Sequence, residues 1–406
     1  MSAARAGMWR NAVGGVTAAR GFVASGVCAG IKKEGLDLAV VSSQAPALAA
    51  AVFTRNCVAA APVAVSRKHM RQSRGRIGAV LINSGCANAC TGPRGMNASI
   101  ASARALAARL ALDPYSVLVC STGVIGTQLP LGRILRALPR AVAELSPDGG
   151  AAALRAIMTT DTREKSAAVE AEVGGRTVRI GGMVKGAGMI HPQMATMLGV
   201  VTTDAAVPRG LLDTIFRRVV ERTFNCLTID GDTSTNDTVV VLANGASGVR
   251  ITDRVSASFE AGLERVCAEL ARSVARDGEG ATKFVEIVVG GAPSFDAARR
   301  VAKAIAHSPL VKTAFYGEEL NWGRILCAAG YSGVEFDPAK VALSVCGFPV
   351  FRRGAPVTRS RARAEAALRG PELEVRLDLG RGRASARVWT CDLSHGYVDI
   401  NGSYIS

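Results

Sequence analysis

One glycine-rich stretch, residues 181–204, carries residue types that suit acyl chemistry. It reads GGMVKGAGMIHPQMATMLGVVTTD and places Lys185, His191 and Thr196 between two strand-like segments. Glycine tolerates positive φ and close approach of other groups to the backbone, so its density here predicts a tight, irregular path. Thr196 stands where this path gives way to an apolar run. Because a hydroxyl at the head of a buried strand is well placed to attack, Thr196 is the candidate nucleophile.

A threonine hydroxyl is unreactive near neutral pH and needs a base. The sequence shows no Ser-His-Asp arrangement, but a nucleophile can also use its own free α-amino group. Thr196 would gain that amine if its hydroxyl attacked the Ala195 carbonyl and the chain were cut between the two residues. His191 is the alternative base, although a hydrogen-bonded loop histidine is the simpler interpretation.

The tetrahedral intermediate of such a reaction needs hydrogen-bond donors for its oxyanion. Thr122 and Gly123 follow a predicted strand at 116–121 and offer a hydroxyl and an unencumbered backbone N–H. An ordinary strand-to-helix turn would explain the same two residues. Composition and spacing alone leave both interpretations open.

The composition is that of a folded protein without a membrane span. Of 406 residues, 49% are hydrophobic and 20% charged, and no uninterrupted apolar run reaches about 18 residues. The net charge of +16 makes nucleic-acid binding a remote alternative. Aromatic residues are only 5%, however, and no DNA- or RNA-binding motif accompanies the charge. A solvated basic surface is therefore the preferred interpretation.

The ten cysteines are dispersed, mostly within apolar strand-like runs such as those around Cys120 and Cys327. This pattern is typical of reduced, buried thiols in a cytosolic protein. Cys86 and Cys90 lie close in sequence, but they have no second pair and no nearby histidine. A zinc site is therefore not expected.

Strand-like and helical segments alternate along the chain, which favours a layered α/β or α+β fold. The clearest helix is 255–276, whose apolar residues share one face. Segments 167–173 and 176–180 alternate polar and apolar residues around two glycines and predict a hairpin. Further strands are predicted at 226–230, 324–329 and 396–406.

Three regions are predicted along the chain. Residues 1–13 form an N-terminal extension. Residues 14–290 form a catalytic domain that contains the cleavage site. Residues 291–406 form a smaller C-terminal α/β domain that completes the substrate site.

Several sequence blocks together resemble one known family. The blocks, in family order over residues 14–406, are GGVTAARGFVASGVCAGIK, AAVFTRN, INSGCANACTG, STGVIG, IMTTDT, GGMVKGAGMIHPQMATML, FNCLTIDGDTSTND, DGEGATKF, ELNWGRILCAAGYSG and YVDIN. Such a set is more specific than any single motif. By these blocks the chain is similar to the ArgJ family, the glutamate N-acetyltransferases of arginine biosynthesis. The resemblance implies an ArgJ/DmpA-like self-processing fold, with helices packed around central β-sheets.

The resemblance also implies a mechanism. Self-cleavage between Ala195 and Thr196 gives mature chains 1–195 and 196–406. Thr196 then takes acetyl from N-acetylornithine and passes it to glutamate. The matching functional positions are the oxyanion pair Thr122 and Gly123 and the substrate contacts Thr159, Lys185, Thr196, Glu279, Asn401 and Ser406. For the first of these contacts, Thr160 and Thr162 are the alternatives.

The resemblance implies no metal or organic cofactor, products N-acetylglutamate and ornithine, and a heterotetramer of two α and two β chains. It leaves open whether acetyl-CoA is a second donor, which would make the enzyme bifunctional. A self-processing aminopeptidase or amidase is the alternative enzyme. The expected location is cytoplasmic, or the mitochondrial matrix for a eukaryotic source, without membrane or nucleic-acid partners. Cys86 departs from the family pattern, which usually has asparagine there; cysteine forms weaker hydrogen bonds.

Overall fold

The computed structural model describes residues 8–191 and 197–403. It is a mixed α/β structure, as the sequence predicts. The strands are β1 Arg10–Asn11, β2 Phe22–Val27, β3 Leu38–Ser43, β4 Leu48–Phe53, β5 Ala79–Asn83, β6 Val117–Ser121, β7 Ser166–Val173, β8 Arg176–Lys185, β9 Leu198–Thr203, β10 Thr238–Ala243, β11 Phe284–Ala292, β12 Ala342–Val345, β13 Phe348–Arg352, β14 Ala355–Pro356, β15 Glu372–Asp378 and β16 Ala384–Cys391. The helices are α1 Ala61–Gln72, α2 Gly92–Arg109, α3 Leu131–Ala143, α4 Gly150–Ile157, α5 Arg209–Arg222, α6 Asp253–Arg276, α7 Phe295–His307, α8 Pro309–Tyr316, α9 Trp322–Gly330, α10 Arg361–Ala367 and α11 His395–Ser403.

Within the described residues the strands form three sheets. The first has the order β1-β7-β8-β9-β10-β4; its β9 and β10 are parallel, and its other neighbours are antiparallel. The second has the order β2-β3-β5-β6, and the third β14-β13-β12-β15-β11-β16. All residues of β9 and β10 are buried. Their nearly continuous apolar sequences follow from burial on both faces of the sheet.

The buried apolar residues form clusters between the sheets and helices, and these clusters show how the layers pack. One core cluster takes Leu118 from the second sheet and Val200 from the first, so these two sheets pack face to face. Another cluster joins the second sheet to α2 and α3 through residues such as Leu106. The largest cluster joins the first sheet to α5 and α6 and extends to the third sheet. The layers are therefore, in order, helices α2 and α3, the second sheet, the first sheet, and helices α5 and α6. The third sheet lies on the far side of α6.

The end of β8 and the starts of β9 and β10 lie side by side at one edge of the first sheet, where these strands begin or end. β8 ends at Lys185, which pairs with Leu198 at the start of β9. Leu198 also pairs with Thr238 at the start of β10. The segments that leave these strand ends are consequently brought together.

The hairpin and the long helix of the prediction are both confirmed. β7 and β8 pair around Gly174 and Gly175, whose φ angles of 60° and 78° suit a tight turn between two strands. Helix α6 buries one face, including Phe259 and Leu270. None of the described helices, α6 included, combines the length and apolar composition that a bilayer crossing requires.

The strand predicted at 324–329 is wrong, because these residues lie in α9. The Asn321 side chain caps this helix by accepting a hydrogen bond from Arg324 N. A short apolar run does not distinguish a strand from a buried helix by its periodicity. The helix also leaves Cys327 exposed, although a buried thiol was expected there.

Two other predicted strands are also wrong. Residues 224–226 form a turn of 3-10 helix, and beyond it Leu227 makes an isolated bridge to Trp389 in place of a strand over 226–230. Residues 395–403 form α11 in place of a closing strand. Alternating apolar residues suggest a strand here, but Val398 is 64% exposed and pairs in no sheet.

The predicted boundary at residue 290 falls inside β11. This strand pairs with β15 and β16 in the third sheet. Residues 284–290 thus lie in the same sheet as strands from the predicted C-terminal region. The division of the chain into domains stays a prediction.

We expect Gly262→Ala to destabilise the protein, because α6 packs closely against Trp9 at this position. A Cβ atom at Gly262 would lie 2.6 Å from Trp9 Cζ2, while Trp9 Nε1 donates to Ser258 O at 2.8 Å. Overpacking costs about 1–3 kcal/mol, against a gain of about 1 kcal/mol in helix propensity. Denaturant unfolding measures the net change.

Gly210→Ala on α5 is the matched control, because a Cβ atom there meets open space. It should be neutral or stabilising. Equal effects of the two substitutions would contradict tight packing of Trp9 on α6.

Candidate active site

A cavity of about 120 Å³ lies at the edge where the central strands converge. It is smaller than the ~300–1,000 Å³ usual for drug-sized ligands, which favours a small metabolite. Its lining residues come from several separate segments: Ala87, Thr122, Gly123, Ile125, Thr159, Thr160, Lys185, Gly186, Gly188, Met189, Ile190, Met197, Leu198, Ser234, Thr235, Asn236, Asp237, Glu279 and Asn401.

This cavity brings together most of the predicted site residues, namely Thr122, Gly123, Thr159, Lys185, Glu279 and Asn401. Ala195, Thr196 and Ser406 lie outside the described residues. Met197, the next residue after Thr196 in the chain, lines the cavity. The roles assigned to all these residues stay predictions.

Gly123 occupies a turn that no other residue type would fit. Its φ of +126° is in the region that favours glycine. A Cβ atom at this position would lie 2.6 Å from Cys86 N, which is closer than real Cβ contacts. The turn therefore places the Gly123 backbone at the cavity wall without a side chain to cover it.

Buried amides hold this turn in place. Asn83 at the end of β5 donates to Cys86 O at 2.9 Å and accepts from Ser121 Oγ at 2.6 Å. Asn236 donates to Ser121 O at 2.9 Å and also to Ala87 O. The loop before β10 is thereby fixed to the turn after β6.

Cys86 is buried beside the same turn. Its Sγ donates to Thr127 O at 3.3 Å, and its backbone bridges to Thr122. Burial raises the pKa of the thiol, so Cys86 stays protonated near neutral pH. The thiol therefore stabilises the loop as a weak donor.

Lys185 is buried and connects two hydroxyl groups of the cavity. Its Nζ donates to Thr159 Oγ1 at 2.7 Å and to Thr122 Oγ1 at 3.2 Å, and lies 4.0 Å from Asp161 Oδ2. Burial lowers the pKa of Lys185, and the nearby carboxylate of Asp161 opposes that shift.

The three threonines of the segment 159–162 occupy different environments. Thr159 and Thr160 line the cavity, and Thr159 accepts the hydrogen bond from Lys185. Thr162 instead donates from its backbone and hydroxyl to Asp277. Thr159 and Thr160 thus remain available for substrate contact, and Thr162 has a structural role.

A buried cluster of charges lies behind Lys185. Lys165, only 1% exposed, donates to Asp161 Oδ1 at 2.6 Å and to Asp277 Oδ2. Asp161 also accepts from Gly186 N at 2.7 Å. Burial alone would raise the pKa of Asp161, but the ammonium groups of Lys185 and Lys165 outweigh it and lower that pKa to about 2.

Glu279 and Asn401 form the opposite side of the cavity. Glu279 follows α6, and its backbone N donates to Ala187 O at 2.9 Å. Asn401 on α11 donates to Glu279 Oε2 at 2.8 Å. A Cβ atom at Gly188 would lie 2.7 Å from Glu279 Oε1, so the glycine-rich loop needs glycine there. The carboxylate is thereby held against that loop.

Comparison with known proteins identifies the relationship of this chain. The model of the ArgJ family matches residues 23–406. The chain belongs to the ArgJ family. It is 50% identical to the arginine biosynthesis bifunctional protein ArgJ of Symbiobacterium thermophilum and 48% identical to that of Thermosynechococcus vestitus. These alignments cover 96% and 98% of this chain, and 98% and 99% of the relatives.

A solved structure is also similar. The crystal structure of the arginine biosynthesis bifunctional protein argJ from Bacillus halodurans is 40% identical, with a TM-score of 0.50. The match covers 52% of this chain and 100% of that chain. The predicted ArgJ-type α/β fold is confirmed. Membership also confirms that the chain is an enzyme, a glutamate N-acetyltransferase of arginine biosynthesis.

In this ArgJ family member, His191 is a poor candidate for a base. Its Nδ1 lies 2.9 Å from Thr228 Oγ1. Burial lowers its pKa to about 4, with Lys303 and His307 adding to the shift. The hydrogen-bonded loop histidine, the simpler interpretation of the sequence, therefore describes it.

The buried acids and amides of the site are not among the residues predicted from the sequence. Asp161, Asp277, Asn236 and Asp237 were not selected, although each lies within or beside a block of the family resemblance. The available signal was an acid next to glycine or threonine in the loop that leads into a buried strand. Among the described residues, no group of three or more His, Cys, Asp and Glu is arranged to hold a metal ion.

We expect Asp161→Asn to destabilise this ArgJ family member by about 3–5 kcal/mol, because it removes one partner from a buried charge cluster. The folded-state pKa of Asp161 is about 2, below its unfolded value of about 3.9. Its contribution is therefore present above pH 3.9 and lost as pH falls towards 2. The free energies of unfolding of wild type and variant, measured between about pH 7 and 2, should therefore converge as the pH falls.

Asp213→Asn is the matched control. Asp213 pairs with Arg217 on the surface of α5 at 2.9 Å, and such pairs contribute about 0–1 kcal/mol. If Asp161→Asn costs no more than this control, the cluster does not carry the stability assigned to it.

Proposed function

We propose that this enzyme cuts itself between Ala195 and Thr196 and then transfers acetyl from N-acetylornithine to glutamate on the Thr196 hydroxyl. One observation carries the proposal: a single small cavity is lined by Met197, by the Thr122-Gly123 turn, and by the charged groups of Lys185 and Glu279. Thr196 directly precedes Met197 in the chain, which supports its assignment to the same site. The free α-amine of Thr196 serves as base for its hydroxyl, as in other amino-terminal threonine nucleophiles.

Thr122 and Gly123 stabilise the oxyanion in this proposal. A lysine ammonium has only donors, so Thr122 Oγ1 must accept in its contact with Lys185. The hydroxyl proton of Thr122 is then free to donate into the cavity. The Gly123 N–H is the second donor, since no side chain covers that turn. Both donors are in place before substrate binds, which is what makes such stabilisation effective.

The charges of the cavity support the choice of substrate. N-acetylornithine has a carboxylate and a free δ-ammonium group, and the cavity offers Lys185 and Glu279. We assign Glu279 to the δ-ammonium and Lys185 to a carboxylate. Thr159, Asn401 and Ser406 complete the contacts. An aminopeptidase or amidase would pass the acyl group to water and would not need to bind a second amino acid as acceptor.

The two chains would stay together after cleavage. The first sheet would then combine β4, β7 and β8 of the first chain with β9 and β10 of the second, since β8 pairs with β9 and β4 with β10. The proposed assembly is a heterotetramer in the cytoplasm, without metal or organic cofactor. Acetyl-CoA is proposed as a second donor, in line with relatives named bifunctional. Release of free CoA thiol with glutamate as acceptor tests that activity.

We expect Thr196→Ala to yield one uncut chain without transferase activity, because no hydroxyl remains to attack the Ala195 carbonyl. Intact-mass spectrometry and a denaturing gel measure the cut. Thr196→Ser is the control, since it keeps a hydroxyl and should still cut, more slowly. Wild-type protein that is uncut yet fully active would refute the mechanism.

We expect Glu279→Gln to lower kcat/KM for N-acetylornithine by about 30-fold or more, because breaking a desolvated charge pair from one side costs roughly 2–5 kcal/mol. Self-cleavage should continue, since it involves no ornithine. Glu269→Gln on the exposed side of α6 is the control. Near-normal kcat/KM in Glu279→Gln would remove this residue from the substrate site.

A further inference from the structure

Asp237 is a buried acid of the cavity with an unsatisfied oxygen. It directly precedes β10, lines the cavity and is only 2% exposed. Among the described residues, no group forms a hydrogen bond with Asp237 Oδ2. More than about 90% of buried polar groups in proteins have a partner, so this exception calls for an explanation.

The backbone holds Asp237 beside the residue that follows the nucleophile. Thr238 N donates to Met197 O at 2.9 Å, and Thr54 N donates to Asp237 O at 2.9 Å. These bonds fix Asp237 between the start of β9 and the end of β4. Asp237 therefore lines the cavity from a fixed backbone position, together with Met197.

We infer that Asp237 is the acid–base residue for the amines of the reaction: it protonates the departing ornithine nitrogen and later deprotonates the attacking glutamate nitrogen. This role rests on the proposed function, in which Thr196 carries the acetyl group. Asp237 is placed for this role because it lines the cavity in which the amine nitrogen of the substrate would react.

The surroundings of Asp237 favour the protonated form of its carboxyl. Burial raises its pKa well above the usual range, while the Ser234 and Thr54 hydroxyls and the charge of Lys185 act in the opposite direction. The other charged side chains that line the described part of the cavity are Lys185 and Glu279. A buried neutral carboxyl can donate its proton where an exposed carboxylate has none to give.

The proton balance closes over the two half-reactions. Thr196 Oγ bonds to the acetyl carbon, and its proton passes to the Thr196 α-amine. The bond from acetyl carbon to ornithine nitrogen then breaks, and the Asp237 proton goes to that nitrogen, which leaves an acetyl ester and a carboxylate. When the neutral amine of glutamate attacks the ester, Asp237 takes one of its protons. The ester bond breaks, and the α-ammonium returns its proton to Thr196 Oγ.

Glu279 is less suited to this step. It is partly exposed and accepts from Asn401 Nδ2, which is consistent with binding a cation. The α-amine of Thr196 is already engaged with the hydroxyl proton. If Asp237 protonates the leaving amine, the Thr196 α-ammonium keeps the hydroxyl proton. No proton then has to pass between Thr196 and Asp237.

Asp237→Asn tests the role with two acetyl donors. N-acetylornithine releases an amine that needs a proton, whereas p-nitrophenyl acetate releases a phenolate that does not. General acids contribute about 10²–10⁴-fold to rate, so kcat with N-acetylornithine should fall by that factor. Acetylation by p-nitrophenyl acetate should fall by less than about tenfold. Equal losses with both donors would overturn the acid–base role.

Asp204→Asn is the comparison for a purely structural acid. Asp204 is buried at the other end of β9, where its carboxylate accepts from Arg179 N at 2.8 Å and Arg20 N at 3.2 Å. Any loss from this substitution should be in equal proportion for the two donors. A selective loss in Asp204→Asn as well would show that selectivity does not report proton transfer, and would overturn the inference.

Two further results separate this inference from the proposed function. Wild-type protein that acquires no acetyl group on the chain beginning with Thr196 would refute the proposed function itself.

If Asp237→Asn stays uncut, self-cleavage becomes the reaction that is measured, because its leaving group is also an amine. Asp237→Glu keeps the carboxyl and should then restore cutting. An uncut Asp237→Glu protein would overturn the role of Asp237.

Discussion

The pairing of β8 with β9 is the constraint on which the site depends. Lys185 at the end of β8 pairs with Leu198 at the start of β9, so the segment 186–197 leaves and re-enters the sheet at neighbouring positions. Gly186 and Met189, which follow β8, have positive φ values. Together with Gly188, Ile190 and Met197 they line the cavity at the ends of the central strands.

The same pairing explains how a cut chain could remain an enzyme. Hydrogen bonds of the sheet would connect the residues on either side of the cut, and the buried faces of β9 and β10 contribute to cores shared with both sheets. Cleavage would remove one covalent bond but little of the buried apolar surface. The stability of the sheet and the position of the new amino terminus would then come from the same contacts.

The sequence predicted the elements whose apolar pattern is long or regular. The buried strand at 116–121, the hairpin around Gly174 and helix α6 all follow from periodicity. Helices α9 and α11 do not follow from periodicity, because short apolar runs fit both periods. In α9 the helix is favoured by the Asn321 side-chain cap and by buried residues such as Ile325.

The candidate site came from the family resemblance more than from physical reasoning on single residues. Thr122, Lys185 and Glu279 are ordinary residue types, and only their place in a set of blocks singled them out. Asp161 and Asp237 were missed because an acid in a sequence resembles a surface charge. Their burial depends on strands that are distant in the chain, which no local pattern reports.

The buried charges have a chemical consequence at the oxyanion turn. Burial alone would favour a neutral Lys185, whose amine would have a lone pair and could accept a hydrogen bond from Thr122. The Thr122 proton would then point towards lysine and away from the cavity. The Asp161 carboxylate favours the ammonium form, which can only donate. Asp161 thus opposes the effect of burial on Lys185, and to the extent that Lys185 is an ammonium, the Thr122 proton is free to point into the cavity.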